Sequence, residues 1–149
     1  MITAETIRRK ADALHEDTVR LRRTMHRHPE LSFSEERTAA FVADELSRAG
    51  IPYTASVGGH GVVATIEGRA TSATGGTPVV ALRADMDALP IREENSHDFC
   101  STVDGVMHAC GHDGHTASLL TAGRILADLR QSLPGTVRLI FQPAEERAP

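Results

Sequence analysis

Two short apolar runs that lead into acidic residues constrain the fold of this chain more than any other feature. Residues 79–83 run straight into an Asp-Met-Asp triplet, and residues 136–141 are soon followed by two adjacent glutamates. Short apolar runs of this kind are typical of buried β-strands. In open α/β sheets, ligands bind beyond the carboxyl ends of the strands. Both acidic segments therefore predict a ligand site at one edge of a sheet.

Helical patterns alternate with these runs. Apolar residues spaced three or four apart predict one helix over residues 3–27, and a similar stripe predicts a third helix over about residues 114–131. Between them, a second helix is expected to begin at Ser32 or Ser34 and to close at Gly50. Helices that alternate with strands predict a single α/β domain, an α/β/α sandwich with a mixed, largely parallel central sheet.

Period-two patterning appears between the second helix and the first acidic segment. Residues 53–57 and 62–67 flank a glycine-rich stretch, which predicts a β-hairpin. Residues 71–77 are rich in Ser, Thr and Gly and predict a surface loop. The hairpin and the two acid-terminated runs together supply the strands of the predicted sheet.

The segment 107–115 concentrates metal-binding side chains. Within nine residues it carries three imidazoles, a thiol and a carboxyl: His108, Cys110, His112, Asp113 and His115. Thiolate and imidazole suit Zn²⁺ and its transition-metal neighbours, and a Cys-x-His spacing lets both side chains of an extended segment face one centre. The alternative is an exposed polar loop with incidental histidines. The density of ligand types favours the metal site.

The two acidic segments can divide their roles. On an extended strand end, Asp85 and Asp87 face the same side, so one can reach a ligand while the other supports it. Glu145 and Glu146 are adjacent, so one can bind a metal while the other handles protons. Each pair taken alone could instead be a turn acid or a solvated charge.

Several other conspicuous residues are expected to be structural. His26 and His28 flank a predicted helix end, where an imidazole can satisfy terminal carbonyls. His60 is expected in the hairpin turn. Cys100 is expected to be a small filler side chain.

Charge and composition exclude some functions. The net charge is -4, and no cluster of Lys and Arg offers the basic face that nucleic acid requires. The first residues show neither a secretory h-region nor an apolar span, which predicts a cytoplasmic protein without a membrane partner. Two cysteines do not make a disulfide framework.

Four ordered motifs carry a family resemblance. They are Arg-Arg-Thr-Met-His-Arg-His-Pro-Glu-Leu at 22–31, Ala-Asp-Met-Asp-Ala-Leu-Pro at 84–90, His-Ala-Cys-Gly-His-Asp at 108–113 and Gln-Pro-Ala-Glu-Glu at 142–146. The chain resembles the aminoacylase, hippurate hydrolase and indole-acetyl-amino-acid hydrolase group of the metallopeptidase amidohydrolases. The likeness extends over almost all of the chain from about residue 20.

The resemblance implies a role for each matching residue. Cys110, His112 and Glu146 are expected to be metal ligands, Glu145 the general base and Asp87 the acid behind the site. Asp85 stands where sister subfamilies carry a metal-binding His, and its role is left open. The resemblance also implies two divalent ions (Zn, Mn or Co), N-acyl amino acids or small dipeptide-like amides as substrates, and a homodimer or homo-oligomer.

The resemblance further implies that relatives continue past residue 149 with more histidine ligands and a smaller dimerisation domain. Residues 1–149 are thus expected to be the N-terminal part of the catalytic domain, with Val137, Leu139 and Phe141 partly uncovered. One alternative is an inactive fragment that binds at most one ion weakly. Another is a thiol hydrolase that uses Cys110 with His112 or His115.

Overall fold

The computed structural model describes residues 2–72 and 75–147, which form an α/β fold. The elements in chain order are α1 (Ala4–Ala13), α2 (His15–Arg27), α3 (Glu36–Arg48), β1 (Tyr53–Val57), β2 (Gly61–Glu67), β3 (Val79–Asp85), α4 (His112–Asp128) and β4 (Thr136–Gln142). Single 3₁₀ turns follow α4 and β4, at Arg130–Ser132 and Glu145–Arg147. The predicted hairpin and both acid-terminated strands are confirmed, but the part of the 71–77 loop at residues 73–74 lies outside the described residues.

The single helix predicted over residues 3–27 is wrong, because the chain breaks at Leu14. This residue has φ -101° and ψ 1°, outside the helical region, and its N–H bonds to the carbonyl of Ala11. No residue of α1 is buried, whereas α2 buries Leu21, Met25 and His26. The spacing of apolar residues in the sequence does not reveal a single non-helical residue, because the side chains on either side of the break keep the same periodicity.

The second helix begins later than predicted. Neither Ser32 nor Ser34 starts α3, which begins at Glu36. The carboxylate of Glu30 accepts hydrogen bonds from the backbone N–H groups of Arg37 (3.1 Å) and Thr38 (2.8 Å). A side chain six residues before the helix therefore satisfies two of its free N–H donors.

The sheet has the strand order β1-β2-β4-β3. The pairs β1–β2 and β2–β4 are antiparallel, and β3–β4 is parallel. The mixed sheet is confirmed, and among the described strands the parallel pairing is confined to β3 and β4. Because Asp85 pairs with Gln142 at the end of that ladder, both acidic segments leave the sheet at the same edge.

The core lies between the helices and one face of the sheet. Leu139 and Phe141 of β4 are 0% and 1% exposed, so the expectation that they would be uncovered is wrong for both. Helix α4 lies close to the sheet at Gly123, where a Cβ atom would stand 2.5 Å from Cδ1 of Leu139. Within the described ranges, the helices lack the combination of length and apolar composition that a bilayer span needs.

Candidate metal centre

His112 is the fixed point of the candidate site. It opens α4 directly after Gly111, whose left-handed backbone (φ 86°) turns the chain into the helix. Its side chain is buried, and Nδ1 lies 2.9 Å from the carbonyl oxygen and 3.1 Å from Oδ1 of Asp87. Both partners are acceptors, so Nδ1 carries the proton. The Nε2 lone pair is therefore free for a ligand.

Asp87 lies behind His112, as the sequence predicts. Its Oδ2 accepts hydrogen bonds from the hydroxyl of Ser32 (2.7 Å) and from the backbone N–H of Glu146 (2.9 Å). Burial raises the pKa of Asp87, but the hydrogen bonds from Glu146 and Ser32 outweigh it and leave the pKa below its ordinary value. The carboxylate stays ionised and holds an imidazole and a backbone segment together.

The three residues expected to bind metal are brought together. One ligand atom each from Cys110, His112 and Glu146 lies within 4.8 Å of the other two. Oε1 of Glu146 is buried and has no hydrogen-bond partner among residues 2–72 and 75–147. The thiol of Cys110 is exposed, and its pKa is raised by the neighbouring Glu146 carboxylate, by burial and by the charges of Glu145 and Asp85.

Glu145 lies beside this group without being tied to it. Its Oε2 is 3.8 Å from Nε2 of His112, its Oε1 is 4.0 Å from Nη2 of Arg83, and its side chain is 39% exposed. The 3₁₀ turn that carries it is held by Glu35, which is fully buried and accepts a 2.6 Å hydrogen bond from the N–H of Ala144. Glu35 was not among the predicted site residues, because a Glu beside another Glu at the start of a helix looks like a solvated charge.

Asp85 and His115 form a second group around the same imidazole. Nδ1 of His115 is 2.6 Å from Oδ1 of Asp85, and that oxygen is 3.6 Å from Nε2 of His112. Burial raises the pKa of Asp85, but the contacts with His115, His112 and Arg83 bring it below its ordinary value. His115 was not among the predicted ligands, although its position one turn after His112 on α4 could have indicated it.

Two other histidines differ from expectation. His26 does not cap helix carbonyls with its side chain; it is buried between the carboxylates of Asp113 (2.7 Å) and Glu93 (3.2 Å). The reason is that α4 and a long loop pack against the end of α2, which no local pattern can show. His108 is 3% exposed with both ring nitrogens unpartnered in the described part of the chain, and burial lowers its pKa to about 4.

Most of the chain is similar in sequence to known hydrolases. Residues 81–149 match the family described as Peptidase family M20/M25/M40. The chain is 47% identical over 148 residues to the N-acyl-L-amino acid amidohydrolase of Geobacillus stearothermophilus, and the match covers 99% of this chain and 39% of that protein. It is 45% identical over 141 residues to the N-acetylcysteine deacetylase of Bacillus subtilis, with 91% of this chain and 35% of that protein covered.

A solved structure is also similar to this chain. The Bacillus subtilis YXEP protein, described as a dinuclear metal binding peptidase from the M20 family, superposes with a TM-score of 0.83 at 46% identity. The superposition covers 91% of this chain and 37% of that one. The chain thus spans little more than a third of the length of the relatives it matches.

Proposed function

We propose that this chain, which matches peptidase family M20/M25/M40 over residues 81–149, supplies part of the centre of a metal-dependent amidohydrolase. The substrates that we propose are N-acyl amino acids and small dipeptide-like amides. Two relatives named N-acyl-L-amino acid amidohydrolase and N-acetylcysteine deacetylase, at 47% and 45% identity, support this choice. The activity is proposed for the whole protein that contains this chain.

The convergence of Cys110, His112 and Glu146 carries the proposal. A thiolate, an imidazole and a carboxylate suit Zn²⁺, Co²⁺ or Mn²⁺ better than Mg²⁺, which prefers oxygen ligands alone. The buried, unpartnered Oε1 of Glu146 and the free Nε2 lone pair of His112 are what a cation at this point would satisfy. The residues present therefore fit a metal ion, with Asp87 fixing the imidazole from behind.

The complete centre is proposed to hold two divalent ions, in keeping with the dinuclear description of the YXEP protein. Bound divalent ions would polarise an amide carbonyl and lower the pKa of a water from 15.7 toward about 7. This chain offers three ligands to one of the ions. Asp85 is not proposed as a ligand, because its two carboxylate oxygens already contact His115 at 2.6 Å and Arg83 at 3.0 Å.

Glu145 is proposed as the general base. A base must not itself be consumed as a ligand, and the Glu145 side chain is 39% exposed, whereas Oε1 of Glu146 is buried beside the other ligand atoms. It can take a proton from the attacking water and deliver it to the leaving amine. The different exposure of Glu145 and Glu146 allows these two adjacent acids to have different roles.

The thiol-hydrolase alternative is disfavoured by electrostatics. A cysteine nucleophile needs its thiolate, and the pKa of Cys110 is raised by the carboxylates of Glu146, Glu145 and Asp85. A metal ion would remove that obstacle by binding the sulfur as thiolate. Cys110 is therefore proposed as a ligand.

The cytoplasmic location and the homo-oligomeric state stay predictions.

The test compares Glu145→Gln with Glu146→Gln, which serve as matched controls for each other. In residues 1–149 loaded with Co²⁺, the thiolate-to-cobalt charge-transfer band of Cys110 should persist in Glu145→Gln and weaken in Glu146→Gln. In the whole protein, Glu145→Gln should keep its metal and lose about 10²–10⁴ in kcat toward N-acetyl amino acids. The reverse pattern would exchange the two roles, and full activity after verified metal removal would reject the proposal.

A further inference from the structure

A separate cluster of ligand atoms lies around Glu93, sharing no residue with the candidate metal centre. His26 on α2 and His97 on the loop of residues 90–101 both turn toward this carboxylate. Nε2 of His26 is 3.2 Å from Oε1 of Glu93, and Nε2 of His97 is 3.4 Å from the same oxygen. One ligand atom from each of the three residues lies within 4.8 Å of the other two.

The hydrogen bonds around the cluster fix both imidazoles. Nδ1 of His26 is 2.7 Å from Oδ2 of Asp113, a carboxylate that accepts its proton. Nδ1 of His97 is 3.2 Å from Sγ of Cys100, whose own proton goes to the carbonyl of Asn95 at 3.3 Å. In their neutral forms both rings therefore aim an Nε2 lone pair at Oε1 of Glu93. Three acceptors would then face one point, where Oε1 also accepts a hydrogen bond from Nδ2 of Asn95 at 3.0 Å, and a cation between them would offset their repulsion.

The spacing matches that of metal ligands. For a tetrahedral Zn²⁺ site with bonds of about 2.0–2.1 Å, neighbouring ligand atoms are about 3.3–3.4 Å apart. The two contacts to Glu93, at 3.2 and 3.4 Å, fall at this value. The second-layer partners also fit, because a metal-binding His almost always donates its other N–H to an acceptor such as a carboxylate.

The burial and the charge of this cluster suit a bound metal ion. The side chains of His26 and Glu93 are 2% and 4% exposed, whereas His97 is 34% exposed and leaves a route for the ion and a water ligand. Burial raises the pKa of Glu93, but hydrogen bonds from Ser101 and Asn95 and the nearby ring of His26 lower it to about 2, so the carboxylate is anionic. Phe99 stacks on the His97 ring at 3.8 Å and holds its orientation.

We propose that His26, Glu93 and His97 form a second, distinct binding site for a transition-metal ion of the Zn²⁺ or Co²⁺ type. The ion would join the loop of residues 90–101 to α2. Through Asp113, which accepts from His26 and lies in the first turn of α4, it would also brace the start of the helix that carries His112. This site is structural and uses residues outside the proposed hydrolytic centre.

The experiment isolates the second site in residues 1–149 prepared without a histidine tag. The double variant Cys110→Ser, Glu146→Gln removes two of the three ligands of the first centre. Titrated with Co²⁺ at neutral pH, it should bind one equivalent with visible d–d absorption and no thiolate charge-transfer band. Adding His97→Leu should abolish that equivalent, and adding His15→Leu, a change at an exposed histidine outside the cluster, should leave it intact.

Two further measurements make the outcomes decisive. Circular dichroism of each variant confirms folding, and the partly exposed position of His97 makes its replacement mild. His97→Leu with Cys110 and Glu146 intact should keep the thiolate band, so that failure at one centre is separable from failure at the other. If the double variant binds no stoichiometric Co²⁺, or if His97→Leu leaves binding unchanged, the second metal site does not exist.

Discussion

The substitution Asp87→Asn tests how the candidate centre is organised. Asp87 receives three donors on two oxygens: Nδ1 of His112 at 3.1 Å on Oδ1, and the Ser32 hydroxyl at 2.7 Å with the Glu146 N–H at 2.9 Å on Oδ2. An amide offers one oxygen and one NH₂ group. Whichever way the substituted side chain turned, its NH₂ would face a donor, so at least one donor would lose its carboxylate acceptor.

Each orientation has a calculable cost. If the NH₂ group faces Glu146, a buried backbone donor is left unsatisfied, at about 1–3 kcal/mol of unfolding free energy. If it faces His112, the imidazole is pushed toward the tautomer that carries its proton on Nε2, which blocks the metal-binding lone pair. Changes behind a metal ligand typically cost about 10–100-fold in affinity. His112 keeps the backbone carbonyl of residue 87 at 2.9 Å, so we expect the lower end, about tenfold or about 1.4 kcal/mol.

The assay is a chelator-competition titration of Co²⁺ followed at the Cys110 thiolate band, with urea unfolding of the metal-free protein in parallel. Ser32→Ala is the control, because it removes one donor to Oδ2 and leaves both the charge and the bond to His112. It should cost about 1 kcal/mol of stability and leave metal affinity unchanged. A folded Asp87→Asn protein that binds Co²⁺ as tightly as the parent would refute the orienting role.

Further predictions concern packing, pH and the first centre. Gly123→Ala should lower the unfolding free energy by about 1–3 kcal/mol, since its Cβ would stand 2.5 Å from Leu139 Cδ1. Gly114→Ala in the same helix meets nothing within 4 Å and should raise the unfolding free energy by about 0.5–1 kcal/mol. Urea unfolding measures both changes. Burial lowers the pKa of His108 from 6.5 to about 4, so the unfolded chain takes up its proton first as the pH falls. The unfolding free energy should drop by about 3 kcal/mol between about pH 6.5 and about pH 4, and His108→Phe should remove that slope. Cys110→Ser should weaken Zn²⁺ binding more than Asp87→Asn does, as measured by competition with a chromogenic chelator whose own absorbance reports the metal.

The elements with strong local patterns were predictable. Strands β3 and β4 contain short apolar runs, and the hairpin has glycines where its turn needs them, at Gly58 (φ 62°) and Gly59 (φ 101°). The acids that follow β3 and β4 share one sheet edge because those two strands are parallel. Strand order and the antiparallel pairing of β2 with β4 could not be predicted, because period and composition do not say which strands of separate motifs are neighbours.

The candidate site was predictable only in part. Cys110, His112 and Glu146 come together as the resemblance implies, and the site lies beyond the carboxyl ends of the strands. The supporting contacts were missed, since Glu35 meets the turn before Glu145 across 109 positions of sequence. His26 meets Asp113 across 87 positions. Contacts of this separation exist only after the core has packed, so no spacing within the chain shows them.

The raised pKa of Cys110 has a consequence for how this protein tolerates air. Oxidation and alkylation proceed through the thiolate, and the carboxylate of Glu146 keeps the exposed sulfur protonated near neutral pH. A solvent-facing cysteine that should be the most vulnerable atom of the chain is thereby made slow to form sulfenic acid or mixed disulfides. The acids that are proposed to act with the metal ion therefore also lower the reactivity of the Cys110 sulfur in the metal-free protein.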